Sequence, residues 1–159
     1  MEVYIEYVIL DNFIINTLII LLVNSTLHQK ISKFKVILAS CIGTIFAIFM
    51  PFISVSNIFL FVLKLMVGLI MVMCFARFNI KDISISYVLF LSYTFLMGGM
   101  CYFVLDMCNI TTTSSGILVY SFDIPVSIII LMVYVYYLLL KKFVEYRKNI
   151  VDFNFFLAN

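Results

Sequence analysis

The sequence predicts an all-α membrane protein, a bundle of five transmembrane helices. Of the 159 residues, 65% are apolar and 11% are charged, and the mean hydropathy is +1.22. Soluble domains are about half apolar and about a quarter charged. The apolar residues also fall in five runs that polar connections separate. This distribution indicates a chain that crosses a membrane several times.

The first apolar run, residues 3–27, is long enough, as a helix rising about 1.5 Å per residue, to cross a bilayer core of roughly 30 Å. The predicted helices cover residues 3–27, 36–52, 58–75, 83–105 and 124–140. Asp123, with Pro125 in the first turn, is predicted to cap the fifth helix. Residues 1–148 are thus predicted to form one transmembrane domain. Residues 149–159, where apolar side chains alternate, are predicted to start a missing or truncated cytoplasmic domain.

The basic residues predict the orientation of the bundle. Nine of the ten Lys and Arg residues lie in the first connection, in the third connection or after the fifth run. The positive-inside rule places these segments in the cytoplasm, so five crossings leave the N-terminus outside and the C-terminus inside. Because the cations form short clusters at helix ends, they give no indication of nucleic-acid binding.

The outer half of the first helix carries polar residues that are costly to place in lipid, namely Glu6, Asp11, Asn12 and Asn16. Asn12 and Asn16 are four residues apart and share a helix face. A helix that only anchored the chain would not need these side chains. We therefore expect a polar stripe that faces other helices.

Lys64 is the one basic residue inside an apolar run. It lies about 10 Å from the outer end of the third helix, at a depth similar to that of Asp11. We expect Asp11 and Lys64 to pair, with Glu6 as a competing partner. Two alternatives stay open: Lys64 extends to the outer headgroups, or it lines a conducting or transport path.

Gly98 and Gly99 lie mid-way along the fourth predicted helix. Small residues allow helix backbones to approach closely in a membrane, so these two glycines predict a tight helix crossing. A hinge is the alternative.

Catalytic residues are not predicted anywhere in the sequence. There is one histidine, and none of the aspartates precedes the Thr-Gly or Ser-Gly pair of an aspartic protease. A histidine triad, a metal site and a cofactor are therefore not expected.

Several short matches connect the sequence to a known family. They comprise Tyr4, Glu6, Asn12 and Phe13, Asn16 where the family often has Asp, the basic loop after helix one, Lys64 with Leu65, the run Phe95–Gly99, and Asp123 with Pro125, between which an isoleucine intervenes. In these residues the chain resembles the N-terminal membrane domain of the sporulation sigma-E factor-processing peptidase family. The resemblance extends over the whole chain, with five helices in the same order.

The resemblance implies a multi-pass aspartic-type peptidase in the cell membrane of an endospore-forming bacterium. Such a protein cleaves the pro-sequence of pro-sigma-E when a forespore-derived signalling protein reaches its outer face, and its cytoplasmic protease domain is expected to act as a homodimer. The family's catalytic Asp-(Ser/Thr)-Gly-Asn motif follows helix five and does not occur in these 159 residues. The leading hypothesis is therefore a sensor and anchor domain without proteolytic activity of its own.

Two other functions stay open at this stage. One is a small substrate-binding or transport membrane protein whose polar stripe and Lys64 line a pocket. The other is a structural bundle that binds no ligand.

Overall fold

The computed structural model describes residues 5–49, 56–107, 131 and 133–146. These residues are helical except in the connections between helices. The helices are α1 (Ile5–Leu27), α2 (Lys33–Phe49), α3 (Asn57–Phe75) and α4 (Ile80–Met107), followed by α5 (residues 133–146). The described ranges contain no strand. The predicted all-α class is confirmed.

The helix ends differ from the predicted ones where charged residues flank an apolar run. Helix α2 begins at Lys33, three residues before the predicted start. Helix α4 begins at Ile80, three residues early, and α5 continues past residue 140 to residue 146. Lysine and glutamate are good helix formers, so a helix can continue where the apolar pattern stops. The predicted start of the fifth helix, with its Asp123 cap, lies outside the described residues.

The connection between α1 and α2 begins with a left-handed residue. His28 has a φ of 51°, and the N–H of Gln29 donates to the carbonyl oxygen of Asn24 at 3.3 Å. This hydrogen bond across the left-handed residue is the one that closes a Schellman motif. It ends α1 sharply, and only residues 28–32 separate α1 from α2.

The connection between α3 and α4 is equally short and ends at Asn79. The side-chain oxygen of Asn79 accepts a hydrogen bond from the N–H of Lys81 at 3.4 Å. Its carbonyl oxygen accepts from the N–H of Ile83 at 2.9 Å. Asn79 is therefore the N-cap of α4. Connections this short make α1 and α2, and likewise α3 and α4, antiparallel pairs.

The first four helices form a ring of neighbours. Helix α1 packs against α2 and α4, and α3 packs against the same two helices. Within the described ranges the backbones of α1 and α3 do not approach each other closely, and the two helices lie on a diagonal of the ring. Helix α5 adds Val133 and Tyr137 to the same apolar core.

The outer surface of the bundle is as apolar as its interior. Buried residues of α1 include Ile20, Leu22 and Val23, whereas Ile58 on α3 is 78% exposed. Further exposed apolar side chains cover α2, α3 and α4. A surface of this kind suits lipid rather than water. In lipid the helices are held by close packing and interhelical hydrogen bonds, because apolar burial gives little net gain there.

Three described helical segments are long and apolar enough to cross a membrane. They are Ile9–Leu27, Ile58–Phe75 and Ile80–Met100. Helix α2, with 17 residues, measures about 26 Å at the usual rise per residue. Length and composition thus identify three candidate spans within the described part of the chain.

Candidate functional site

The polar stripe predicted for α1 lies inside the bundle. Asp11 is 5% exposed, and Asn12, Asn16 and Thr17 are half-buried. The side chain of Glu6 lies outside the described part of the structure. Of these residues, Asn16 lies against Gly43 of α2, and the orientation of the stripe as a whole towards other helices stays a prediction.

The partner of this stripe is a row of small residues on α2. A 2.9 Å hydrogen bond joins Thr17 Oγ1 and Ser40 Oγ across the two helices. The Thr17 hydroxyl also lies 2.7 Å from the carbonyl oxygen of Phe13. One turn further along α2, the hydroxyl of Thr44 donates to the carbonyl oxygen of Ser40 at 2.8 Å. We call Asn16, Thr17, Ser40, Gly43 and Thr44 the polar seam.

Gly43 is the closest approach within the polar seam. A Cβ atom at this position would stand 2.5 Å from Nδ2 of Asn16 and 2.8 Å from Sδ of Met71. Both distances are shorter than normal van der Waals contacts, so a larger residue at this position would require the ends of the Asn16 and Met71 side chains, from α1 and α3, to shift. The Asn16 amide is packed against the backbone of α2, and this arrangement favours a packing role over a small-molecule pocket.

Two hydrogen bonds attach α4 to its neighbours. Tyr93 Oη lies 2.7 Å from Thr26 Oγ1 on α1, and Tyr87 Oη donates to the carbonyl oxygen of Leu65 on α3 at 3.1 Å. Beside Tyr87, Gly68 of α3 allows the ring of Phe90 to approach, since a Cβ there would be 3.3 Å from that ring. Each of these contacts joins helices that are neighbours in the ring.

Lys64 lies on the outer surface of α3 and is exposed. Asp11 belongs to α1, the diagonal partner of α3, and is buried. The two residues therefore lie on helices that are not neighbours in the ring, and an exposed Lys64 is compatible with a side chain that extends along the apolar surface. The pairing of Asp11 with Lys64 stays a prediction.

The glycine pair predicted to form a helix crossing is exposed. At Gly98 and Gly99, a Cβ atom would meet nothing within 4 Å among the described residues. The close approaches in the described part occur at Gly43 and Gly68 instead. A packing role for the pair against a further helix or a second copy stays a prediction.

Sequence reasoning missed most of the polar seam. Its uncharged members lie within apolar runs, where hydropathy does not distinguish them from their neighbours: Thr17, Ser40, Gly43 and Thr44. A usable signal was present, because Ser40, Gly43 and Thr44 share one face of α2 at spacings of three and four. Small residues at that spacing mark helix interfaces in membranes.

Comparison with known proteins assigns the chain to a family. The family described as Sporulation factor SpoIIGA, Peptidase U4, matches residues 2–158. The chain belongs to this family. The resemblance to the sigma-E factor-processing peptidases is thereby confirmed.

One curated relative of this SpoIIGA family member comes from Clostridium acetobutylicum and is called a probable sporulation sigma-E factor-processing peptidase. It is 26% identical over 109 residues, which cover 65% of this chain and 40% of the relative. The chain thus spans less than half the length of that protein. No solved structure matches the chain.

Proposed function

We propose that this chain is the membrane-embedded sensor and anchor of a sigma-E factor-processing peptidase. The observation that carries the proposal is the family match over residues 2–158. The apolar exterior of the bundle and its three candidate spans support a location in the membrane. The host would be an endospore-forming bacterium, and the membrane its cell membrane.

The proposed topology has five crossings, with the N-terminus outside and the C-terminus in the cytoplasm. The connections 28–32 and 76–79 leave the bundle at one end and together carry Lys30 and Arg77. Lys141 and Lys142 lie in the last turns of α5. With these cations in the cytoplasm, the arrangement agrees with the positive-inside rule. Helices α2 and α5 complete the set of spans.

The signal is proposed to arrive at the outer face as a forespore-derived protein and to shift the packing of the bundle. The polar seam is the element that can change, because hydrogen bonds between helices have alternative partners when the helices slide. Asp11 and Asn12 lie one to two turns from the seam on the outer side. Helix α5 would carry the shift to the cytoplasm.

Proteolysis of pro-sigma-E is proposed to need residues beyond these 159. No aspartate of this sequence is followed by Thr-Gly or Ser-Gly. In an aspartic-type peptidase two carboxyl groups must share a site, and a homodimer in which each copy supplies one would satisfy this requirement. The proposed role of this chain is to hold and switch that unit.

A chimera tests the proposal. The aligned segment of the Clostridium acetobutylicum relative is replaced by this chain, and the fusion is co-expressed with pro-sigma-E, with or without the forespore signalling protein. We expect signal-dependent shortening of pro-sigma-E on a gel for the fusion and none for the chain alone. The control is the same fusion with the catalytic aspartate of the relative replaced by alanine.

Two results would contradict the proposal. Processing by the chain alone would place catalytic residues within these 159. Processing by the fusion that is equally strong without the signal would remove the sensor role, although the anchor role would remain.

A further inference from the structure

A basic cleft opens at the end of the bundle where α1–α2 and α3–α4 are connected. Its volume is about 420 Å³. It is lined by Gln29, Lys30, Ile31, Ser32, Lys35, Phe75, Ala76, Arg77 and Phe78. One wall is the first connection with the start of α2, and the other is the end of α3 with the second connection. The cleft therefore belongs to both helical hairpins at once.

The charge of this cleft has one sign. Lys30, Lys35 and Arg77 line it, and among the residues that the structure describes no Asp or Glu does so. Gln29 and Ser32 add neutral hydrogen-bonding groups. Like charges repel, so three cations around one cleft favour an anion between them. The planar guanidinium of an arginine matches two oxygens of a phosphate group.

Local structure holds these groups in place. The left-handed His28 turns the chain so that the residues after it face the neighbouring hairpin, with the Gln29 N–H bonded to Asn24. On the other wall, Ala76 N–H donates to the carbonyl oxygen of Val72 at 2.8 Å. Arg77 therefore follows a fixed end of α3. Lys30 and Arg77 lie on short, hydrogen-bonded connections, and Lys35 lies in the first turn of α2.

The cleft also has an apolar side. Of its lining residues, Phe75 and Ala76 are buried, whereas Phe78 is 95% exposed. Phe34 and Ile80, at the starts of α2 and α4, are 71% and 82% exposed. An inorganic anion in water would gain nothing from such neighbours. A lipid has a charged headgroup and an apolar tail, and it would use both sides.

We propose that this cleft binds the phosphodiester headgroup of an anionic phospholipid, with the acyl chains along Phe34, Phe78 and Ile80. Basic pockets between transmembrane helices at the cytoplasmic surface are suited to anionic headgroups. A bound headgroup would place one negative charge among the three cations, reduce their mutual repulsion and contact both hairpins. This inference needs the chain to lie in a membrane, but it does not depend on its role in proteolysis.

The test compares phosphatidylglycerol with phosphatidylcholine on the full chain in detergent micelles. Lipid is titrated, and binding is followed by native mass spectrometry and by the shift in unfolding temperature. We expect phosphatidylglycerol to bind at least about tenfold more tightly than phosphatidylcholine, a difference of one decade in Kd. Similar affinity for the two lipids would overturn the proposal.

A matched pair of triple variants locates the site. The variant K30Q/K35Q/R77Q removes the cations of the cleft, and K33Q/K81Q/K142Q removes three exposed cations outside it. We expect the first to lose about tenfold in phosphatidylglycerol affinity and the second to bind as the unchanged protein does. Equal losses of phosphatidylglycerol affinity in the two variants would show that the lipid is attracted by the overall positive charge, and would contradict a specific site in the cleft.

Two further arms complete the design. The variant R77K keeps the positive charge but cannot form the two parallel hydrogen bonds of a guanidinium to a phosphate. We therefore expect it to bind phosphatidylglycerol several-fold more weakly. Unchanged binding would show that the guanidinium has no specific role. Inorganic phosphate at millimolar concentration is expected to leave lipid binding unchanged. Full displacement by phosphate would identify a site for a free anion instead of a lipid.

Discussion

Tyr93 of α4 and Thr26 of α1 are joined by a hydrogen bond of 2.7 Å between hydroxyl groups that are 67 residues apart in the sequence. The Thr26 hydroxyl also donates to the carbonyl oxygen of Leu22 at 2.9 Å. Because a hydroxyl has a single proton, Tyr93 is the donor in the bond between the two helices. This bond closes the ring of helices between its first member and its fourth.

Removing the Tyr93 hydroxyl should weaken the contact between α1 and α4. We expect Tyr93→Phe to lower the free energy of unfolding by about 0.5–1.5 kcal/mol, the usual net value of one hydrogen bond. Tyr146→Phe, at an exposed position, is the matched control and should have no effect. Unfolding in mixed detergent measures both. If Tyr93→Phe costs no more than the control, the bond contributes nothing to stability.

Gly43 and Gly98 should respond in opposite ways to the same change. Gly43→Ala places a methyl group against the ends of the Asn16 and Met71 side chains, which must move, so we expect a loss of about 1 kcal/mol from overpacking. Gly98→Ala enters open space and should gain up to about 1 kcal/mol in helix propensity. Thermal unfolding in micelles distinguishes the two variants. A large loss at Gly98 would instead support the tight crossing that the sequence predicts there.

His28 occupies a left-handed conformation that glycine adopts more easily. We expect His28→Gly to raise the free energy of unfolding by about 0.5–1 kcal/mol, since a side chain at positive φ is disfavoured. His28→Val should lower it, because a branched Cβ tolerates this region least. Equal stabilities for the two variants would contradict the Schellman end of α1.

Asp11 and Lys64 should act independently of each other. They lie on diagonal helices, and Lys64 is exposed. We expect the effects of Asp11→Leu and Lys64→Met on stability to add within about 0.5 kcal/mol in a double-mutant cycle. A double variant that is more stable than Asp11→Leu by several times that margin would establish the pairing that the sequence suggests.

The proposed orientation predicts where fused reporters function. A fluorescent protein that folds only in the cytoplasm should fluoresce when it is fused after Tyr146. Alkaline phosphatase, which is active only outside, should be active when it is fused within residues 50–56 and inactive within residues 28–32. The positive-inside rule supplies the reason. Phosphatase activity at residues 28–32 would reverse the topology.

Much of the fold follows from hydropathy. The all-α class and the approximate helices α1 and α3 could be predicted because an apolar run in lipid must satisfy its own backbone hydrogen bonds as a helix. Helix ends were less predictable. Helices α2 and α4 include the charged residues Lys33 and Lys81 in their first turns. Hydropathy does not predict the backbone conformation of such residues.

The candidate site was predicted in part. Asp11 and Asn16 could be singled out because polar groups are costly in lipid. In the structure Asp11 is buried and Asn16 is half-buried. The pairing of Asp11 with Lys64 rested on equal depth alone. Depth gives the position of a residue along the membrane normal but not the direction in which its side chain points.

The sequence by itself determined the helical class, the polar face of α1 and the family, because these depend on residue type and spacing along one chain. Only the tertiary structure decided which helices are neighbours, that Gly43 and Gly68 are points of close approach, and that Lys30, Lys35 and Arg77 line one cleft. The physical reason is the apolar exterior of the bundle. When the inner and outer faces of a helix are equally apolar, periodicity does not reveal which face is buried, and packing between helices makes the choice.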